Sequence, residues 1–573
     1  MLRKRMLGCL LLAGSLAIAA CGKKETPAEM SAAADAGPLS YVPADTPYVF
    51  ANPEPMPEAM INRWREQAQQ MWPLLMPMLD DVIAKAGNEE PKVKALLKAF
   101  VDEIRERKTP EQWAEIGLGP KLRSAIYGVG LLPVLRLELT NVDGFKAALG
   151  RIEKASGMSL GTARVGEQDV RTFDIEDHLG LIAFEGSHLV VTLVPKSADE
   201  ALKRRMLGLD RPAESIASSG AFAAFDKAQG YLPYGSGWLD SRRAVALLAD
   251  PQAGAAAPQA ADAACRSEYD ALAAKMPRLS FGYTRLEGDV MDMRMRLELE
   301  PALAKALVDL GSAVPGKASA DALIDFGFGA PVLKARDFLV AQADLVAKAP
   351  FQCKELASLN AEFAKLKTGI DKTLPPPLAD LTGARLTINQ LVIPSNAPPM
   401  PTDVSGSLLV GSNNPMFLVG LAQLSAPPLQ KLQLAPDGKP VALPSELLGA
   451  VAAKYEAQAA MGPKTLGVAI GKPAIATLSA AVMQAPAADG TILSFDASGR
   501  LYALMGELFN NPTISAALPP DQKTTLEAQR QLYTLYAQWF KHIHMRMAFT
   551  TSGVEFFESI EMNPIAPAAQ VAQ

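Results

Sequence analysis

The chain has 573 residues, of which 49% are hydrophobic and 20% are charged, and its formal net charge is −5. This composition predicts a globular protein with a large core, and the length predicts about two to four domains. A mildly acidic chain without a basic block argues against binding to nucleic acid and against broad electrostatic binding to anionic membranes.

The N-terminus has the three parts of a secretory signal peptide. Three basic residues, Arg3 to Arg5, are followed by an apolar stretch that extends from Met6 to Ile18. That stretch is shorter than the roughly 20 apolar residues of a spanning helix, and no later apolar run reaches about 18 residues. The sequence therefore predicts a signal peptide at residues 1–20 and no membrane-spanning helix after it.

The residues that end this segment, Ile18-Ala19-Ala20-Cys21, resemble the bacterial lipobox. The resemblance implies that the Cys21 thiol acquires a diacylglycerol, that the peptide is cut before Cys21, and that the new amine is acylated, as with palmitate. Lasting attachment needs at least two acyl chains, because one binds a membrane only marginally. Gly22 replaces the Asp that would imply the inner membrane, so the resemblance implies the periplasmic face of the outer membrane. The alternative is an ordinary signal peptide followed by a chance cysteine.

Two segments are predicted to lack regular structure, a tether at residues 21–39 and a disordered tail at residues 564–573. The tether is small, polar and aperiodic, and by the square-root rule it spans roughly 25 Å on average. Removal of the signal peptide lowers the number of basic residues from 56 to 53 against 61 acidic ones, so the mature net charge is −8.

Helices and strands alternate irregularly through residues 40–312, which we predict to be a first α+β domain. The first strand is centred on Val49 and Phe50, and helices occupy most of residues 54–107. The remaining predicted strands are at 123–140, 169–175, 179–184, 188–194 and 237–240, with a closing hairpin at 278–298. The remaining predicted helices are at 143–152, 197–207, 218–228 and 265–276.

The same plan begins again near residue 317, which predicts a second α+β domain at residues 313–563. Residues 319–326 align with 43–50, residues 471–478 with the strand at 186–193, and residues 530–562 with 264–297. An extra helix is predicted at 447–460. The sequence thus predicts an α+β fold of two diverged tandem repeats, each an antiparallel sheet with helices packed on one face. The alternative is a chance likeness between two α/β stretches.

The opening segment Val-Pro-Ala-Asp-Thr-Pro-Tyr-Val-Phe at 42–50 resembles the start of a family of large bacterial envelope proteins of unknown function. That family also has segments similar to residues 215–225 and to the strand at Gly237–Asp240. The resemblance covers mainly residues 41–250. It implies a location outside the cytoplasm and no known activity.

No catalytic, metal or cofactor site is predicted. His542 and His544 would share one face of a strand, where copper ligation by imidazole and thioether is the alternative to an ordinary exposed face. We favour the exposed face, because Met545 and Met547 would point to the other side. With four histidines in the chain, two of them elsewhere, a His-based catalytic triad is not expected. Met291, Met293 and Met295 alternate with charged residues, which predicts a strand with methionines towards a core.

Cys265 and Cys353 are predicted to form a disulfide bond. Cleavage removes Cys9 and lipidation occupies Cys21, which leaves these two thiols in a compartment that oxidises thiols. Such a bond would cross the boundary between the two predicted domains. The alternative is two buried free thiols, which pack as small apolar groups.

These observations predict a lipid-anchored periplasmic protein with a non-enzymatic role in binding, as a scaffold or in envelope maintenance. A carrier for an apolar ligand such as a lipid is the first alternative, and a hydrolase is the alternative of another class. The expected partners are the membrane, through the lipid on Cys21, and an envelope protein.

Overall fold

The computed structural model describes residues 37–85, 91–248, 263–311, 314–329, 331–371, 374–394, 401–447, 455–486, 489–517 and 520–564. The predicted signal peptide, Cys21, most of the tether and residues 565–573 lie outside these ranges. The chain forms two compact units. Unit 1 comprises Met1–Ala261 and Arg278–Met291, and unit 2 comprises Asp262–Pro277 and Asp292–Gln573. This division differs from the predicted boundary at 312/313, because the segment around Cys265 belongs with the later part of the chain.

Unit 1 contains an antiparallel sheet of nine strands, in the order β9-β8-β1-β2-β3-β7-β6-β5-β4. Its first strand in the sequence is therefore an interior strand, the third from the β9 edge. The strands are β1 Tyr48–Asn52, β2 Ser124–Val129, β3 Leu132–Glu138, β4 Gly161–Val165, β5 Gln168–Ile175, β6 His178–Glu185, β7 His188–Pro195, β8 Ser236–Asp240 and β9 Arg278–Glu287.

Several helices of unit 1 begin after a residue whose side chain caps the first turn. The helices are α1 Glu58–Lys85, α2 Pro91–Arg105, α3 Pro110–Glu115, α4 Val142–Ser156, α5 Glu200–Leu207, α6 Ala221–Gln229 and α7 Ser241–Leu248. Helix α3 follows a capping box in which Thr109 and Gln112 satisfy each other's backbone N–H groups. Helix α4 begins after Asn141, whose side chain accepts from the N–H of Gly144, and ends at Gly157 in the left-handed conformation at φ 65°.

Both faces of the unit 1 sheet bury apolar side chains under helices. On one face Val134 and Val190 belong to a core that includes Met206 of α5 and Phe222 of α6. On the other face Leu137 and Leu189 pack with Phe145 of α4. The predicted arrangement with helices on one face is therefore wrong, because successive strand residues point to opposite faces and both sets are apolar here.

The described body begins with a 3-10 turn, Gly37–Tyr41, whose last residue is held in unit 1 by two guanidinium groups. The Cζ atoms of Arg136 and Arg211 lie 3.5 Å and 4.0 Å from the centre of the Tyr41 ring. The Tyr41 hydroxyl donates to Glu185 and accepts from Arg211 Nη2 at 2.6 Å. Burial, together with Glu185, raises the pKa of Tyr41 to about 12. We call this arrangement the Tyr41 clamp.

The strands of unit 2 pair antiparallel in the order β14-β15-β16-β13-β12-β11-β17-β18-β19. Strand β10 (Val290–Glu298) pairs with β19, and from Asp292 it belongs to unit 2. The other strands are β11 Ile324–Gly329, β12 Leu381–Val392, β13 Asp403–Ser412, β14 Val441–Ala442, β15 Ala457–Met461, β16 Thr465–Ile470, β17 Thr491–Ser498, β18 Phe540–Thr550 and β19 Gly553–Met562.

The helices of unit 2 correct two predictions from the sequence. They are α8 Ala263–Lys275, α9 Pro301–Leu310, α10 Val332–Lys348, α11 Ala357–Ile370, α12 Pro376–Ala379, α13 Pro415–Ser425, α14 Lys472–Met483, α15 Arg500–Phe509, α16 Pro512–Ala517 and α17 Pro520–Trp539. Residues 471–478, aligned above with a strand, are instead the N-cap Gly471 and the first residues of α14, in which Pro473 is in the first turn. Residues 457–460, predicted as helix, are in β15, and residues 448–454 lie outside the described ranges.

Helices again pack on both faces of the sheet. Leu478 of α14 packs against Leu409 and Ala469 on one face. Val419 of α13 packs with Ala459 and Leu466 on the other. Among the described residues of either unit, no helix combines the length and the apolar character needed to cross a bilayer.

Candidate functional site

Of the predicted site residues, Cys21 lies outside the described part of the chain, whereas Cys265 and Cys353 are joined as a disulfide. Their Cα atoms are 4.5 Å apart, and both residues are in unit 2. The bond therefore does not link the two units, contrary to the expectation that it would cross a domain boundary. The Glu268 carboxylate accepts from the backbone N–H groups of Gln352 at 2.6 Å and of Cys353 at 3.0 Å, which ties the same loop to α8.

The two strand histidines are not on an exposed face, so that prediction is wrong. The side chains of His542 and His544 are only 19% and 29% exposed, and both lie against the buried Asp496. His544 Nδ1 is 2.8 Å from Asp496 Oδ1, and His542 Nε2 is 3.6 Å from the same oxygen. Within the described ranges, the one group at metal-ligand distances is Cys265, Cys353 and Glu355, whose two sulfur atoms form the disulfide.

An apolar cavity in unit 1, which we call the tryptophan cavity, has charged residues at its rim. It has a volume of about 560 Å³ and lies between α1 and α3. Its wall contains two indole rings, Trp72 and Trp113, which meet edge to face with their centres 6.2 Å apart. The other lining residues are Arg65, Ala68, Gln69, Pro73, Met76, Arg105, Arg107, Lys108, Thr109 and Pro110.

Local sequence explains how these walls form. Pro73 lies inside α1 and has no N–H, so the carbonyl of Gln69, one turn earlier, loses its helical partner. Both residues line the cavity. On the other side the Thr109 capping box fixes the start of α3, which places Trp113 in the first turn and a half. Trp72 Nε1 donates to the carbonyl of Arg105 at 3.5 Å, which fixes the remaining indole.

The rim of the tryptophan cavity carries several cationic side chains, and two of them are paired with carboxylates. Arg105 pairs with Asp80 at 2.5 Å, and Arg107 pairs with Glu103 at 2.6 Å. Hydrogen bonds from Arg151 and Arg107 lower the pKa of Glu103 despite its partial burial.

Two further cations, Arg65 and Lys108, lie on this rim. Neither Arg65 nor Lys108 forms an ion pair with any residue in the described ranges, and Arg65 donates to the neutral Asn62 at 2.8 Å. An anionic group at the mouth of the cavity would therefore meet two uncompensated cations.

A second cavity, which we call the polar cavity, lies on the sheet of unit 2 and has a volume of about 500 Å³. Beneath it the buried Asp325 pairs with Arg385 and accepts from Thr387 Oγ1 at 2.7 Å. Burial raises the pKa of Asp325, and Arg385 opposes that shift. The lining residues are Arg294, Val314, Gly316, Lys317, Ala318, Arg385, Gln484, Ala485, Asp489, Thr491, Ser494, His544, Arg546 and Phe557.

The polar cavity does not contain a serine hydrolase triad. His544 bonds to Asp496, and Ser494 lines the same cavity, but the Ser494 hydroxyl makes no hydrogen bond to any described residue. The Ser494 Oγ instead lies towards Gly327 on β11, 2.7 Å from the position of a Cβ on that residue. Strand β11 pairs with one edge of β17, whereas β18, which carries His544, pairs with the other edge. The nucleophile and base of a triad have to be within hydrogen-bond reach of each other.

Neither cavity was predicted from the sequence. A signal for the second one exists, because Asp325, Arg385 and Asp496 each interrupt an apolar strand with a charge at an inward-facing position. The tryptophan cavity has no comparable signal, since its two indoles come from helices whose contact depends on the tertiary fold. Comparisons of the chain with protein-family models, with curated proteins and with solved structures give no match.

Proposed function

We propose that this protein is a non-enzymatic, lipid-anchored binding protein of the bacterial envelope, attached through Cys21 to the periplasmic face of the outer membrane. Its ligand is a single-chain anionic amphiphile, such as a fatty acid, held in the tryptophan cavity. The observation that carries this proposal is an apolar cavity with two indoles in its wall and two uncompensated cations, Arg65 and Lys108, at its rim.

The apolar part of such a ligand is bound by burial of its methylene groups. Each buried CH₂ contributes about 0.8 kcal/mol, so a partly buried acyl chain provides enough free energy for micromolar binding after the loss of ligand freedom. The volume of about 560 Å³ is in the usual range for sites that enclose small ligands.

The charged end of the ligand is bound at the rim. Arg65 and Lys108 supply charge-assisted hydrogen bonds to a carboxylate or phosphate, and these are stronger than neutral ones. Arg105 and Arg107 remain held by their own carboxylates, so they shape the rim without needing the ligand.

The anchor gives this binding site a source of ligand. A tether of about 18 residues would keep unit 1 within roughly 25 Å of a membrane that contains acyl chains. Substitution of Cys21 by Ala should release the protein to the soluble fraction, and globomycin should make the wild-type precursor accumulate. A membrane-bound Cys21→Ala protein without precursor accumulation would contradict the anchor.

We also infer that the two units are diverged copies of one ancestral domain. What supports this is the shared strand order, in which β1 and β11 each lie between the next strand of the chain and a strand that returns much later. In both units an Asn, at 141 or 414, caps the helix that follows the third of the equivalent strands. An experimental structure in which residues 41–300 and 317–563 do not superpose with strands paired in order would refute this inference.

The ligand is tested by native mass spectrometry of protein from its own host and by titration with palmitate. Trp113→Ala should weaken palmitate binding at least tenfold, and Lys108→Gln should weaken it about threefold. Trp64→Leu is the matched control, because Trp64 is on the same helix as Trp72 but lines a different cavity. Equal affinities of Trp113→Ala and Trp64→Leu, or no co-purified amphiphile, would contradict the proposal.

A further inference from the structure

The polar cavity of unit 2 contains two hydrogen-bond donors that converge over Gly327 without an acceptor. A Cβ built on Gly327 would lie 2.7 Å from Ser494 Oγ and 3.1 Å from Arg385 Nη2. The two donors are therefore at most 5.8 Å apart, the sum of these distances. An oxygen atom between them would be within hydrogen-bond reach of both.

Neither donor is satisfied by the protein. Ser494 is only 5% exposed, and its hydroxyl has no hydrogen-bond partner among the described residues. Arg385 uses Nη1 for Asp325 and Nε for the carbonyl of Pro315 at 2.8 Å, and its Nη2 makes no hydrogen bond within the described ranges. Buried polar groups are almost always hydrogen-bonded, so an unpartnered buried hydroxyl beside an idle guanidinium nitrogen indicates a missing acceptor.

The chemistry of the two donors selects the ligand. A guanidinium group donates hydrogen bonds and accepts none, so the ligand has to present an acceptor. Four cationic side chains line the cavity, Arg294, Lys317, Arg385 and Arg546, against one carboxylate, Asp489. Lys317 is exposed and has no ion pair in the described part of the chain.

The carboxylates in and near the cavity are engaged by cations or by histidine. Asp325 pairs with Arg385, and Asp489 pairs with Arg546 at 3.2 Å. Asp496 bonds through Oδ1 to His544, whereas its buried Oδ2 makes no hydrogen bond within the described ranges. Glu555 pairs with Arg296 at 3.0 Å and with Arg294 and Arg546 at 3.6 Å and 3.5 Å. The wall that faces the cavity is thus cationic, although the wider cluster is close to neutral.

We propose that unit 2 binds an oxyanion, the carboxylate or phosphate group of a small ligand, between Ser494 Oγ and Arg385 Nη2 over the Cα atom of Gly327. A Cβ at 327 would be 2.6 Å from Val314 Cγ1, so the bound oxygen has to lie clear of this methyl group and cannot occupy the Cβ position itself. A side chain at 327 would crowd the same two donors. This site is independent of the tryptophan cavity, which is in unit 1.

The test is calorimetric titration of the mature chain with sodium phosphate and with sodium acetate, at a fixed ionic strength set by chloride. We expect saturable binding of at least one anion, with Ser494→Ala weakening it about tenfold. Ser494→Ala should fold as well as the wild type, because it removes a hydroxyl that has no partner. Gly327→Ala should also lose anion binding. Because that substitution can disturb the strand, the affinity of Ser494→Ala is the measurement that tests the proposal.

The matched control is Ser498→Ala, on the same strand and face, whose hydroxyl bonds to Arg500. It should retain the anion affinity of the wild type. Binding of phosphate alone would identify a phosphate ligand, binding of acetate alone a carboxylate, and binding of both a general oxyanion site. No heat beyond that of chloride, or equal affinities of wild type and Ser494→Ala, would overturn the proposal.

Discussion

The two units have a similar strand order but different side chains at three neighbouring positions on interior strands. In unit 1 Val49 lies opposite Tyr127 and Trp238. At the same place in unit 2 Asp325 lies opposite Thr387 and Asp496. Trp238 is covered by aromatic rings of α6. In unit 2, by contrast, Asp325 and Asp496 bond to Arg385 and His544, two residues that line the polar cavity.

The comparison teaches that strand order and the residues on one sheet face vary independently. Strand pairing depends on backbone hydrogen bonds and on alternation of inward and outward positions, both of which tolerate a change of side chain. The same strand order is therefore compatible with a closed aromatic core or with a cavity lined by polar and charged residues, provided that each buried charge has a partner.

The opposite face is alike in the two units. Phe50, Ile126 and Leu135 form an apolar row across three strands of unit 1. Phe326, Leu386 and Leu408 form the corresponding row in unit 2 and are 41%, 43% and 46% exposed. At the positions compared, the two units therefore differ on one face and are alike on the other.

The substitution with the largest expected effect on stability acts on the buried charges of unit 2. Arg385→Ala leaves the buried Asp325 without its cation, and the loss of one partner of a buried pair costs about 3–5 kcal/mol. Urea unfolding of the variant should show a destabilised unit 2 and an unchanged unit 1. The double variant Asp325→Asn/Arg385→Ala should recover most of the loss. A single variant as stable as the wild type would show that Asp325 is protonated and needs no cation.

Reduction of the disulfide is the next largest effect and also concerns unit 2 alone. The bond spans 88 residues, and in the chain-entropy model such a loop is worth about 4 kcal/mol, of which about 3 is commonly realised. Cys265→Ser/Cys353→Ser should lower the unfolding midpoint of unit 2 only. Mass spectrometry of a non-reduced digest checks the bond itself, and free thiols there would contradict it.

A third substitution should change the pH dependence of the stability of unit 1. Burial raises the pKa of Asp226 on α6 in unit 1 to about 7, above its ordinary value of 3.8. The folded state therefore holds this proton more tightly, and stability is lost as the pH rises from about 4 to 7. Asp226→Asn should remove that loss and stabilise unit 1 at pH 8 by about 2 kcal/mol. Unfolding curves at pH 5 and pH 8 measure the difference, and an equal gain at both values would refute the pKa assignment.

The smallest effect should be equal in the two units. Asn141 and Asn414 accept from backbone N–H groups in the first turns of α4 and α13 at 2.9 Å and 3.3 Å. Loss of such a cap costs about 1 kcal/mol. Asn141→Ala should destabilise unit 1 and Asn414→Ala unit 2 by this amount, as seen in urea midpoints. Asn360→Ala, which removes a side chain bonded to both backbone groups of Phe351, is a control that has no equivalent in unit 1.

Much of the fold could be predicted from local patterns. The α+β class and the strands β5 to β7 follow from apolar alternation between turn residues. Residues 471–478 were aligned with a strand, although they lie at the start of α14. The segment Ala-Ile-Ala-Thr-Leu is apolar except for Thr477, and a short apolar run has no period that separates helix from strand.

The candidate sites could not be predicted in the same way. The environment of His542 and His544 depends on Asp496, which is distant in sequence and adjacent only through strand register. On β10 the methionines were expected to face a core, yet Met295 is 40% exposed, while Arg294 and Arg296 turn inward to Glu555. Alternation shows that a strand has two faces but not which of them is covered.

Under the proposed lipid anchor, the Tyr41 clamp would have a mechanical consequence. Tension on such an anchor would reach the described body through the 3-10 turn Gly37–Tyr41. The ring of Tyr41 lies between two guanidinium groups, and its hydroxyl is bonded on both sides. Arg136 belongs to β3, so the load passes into the middle of the sheet and is shared by strands on either side. When unit 1 is pulled from its N-terminus, the first event should therefore be rupture of the clamp, with the sheet still intact behind it.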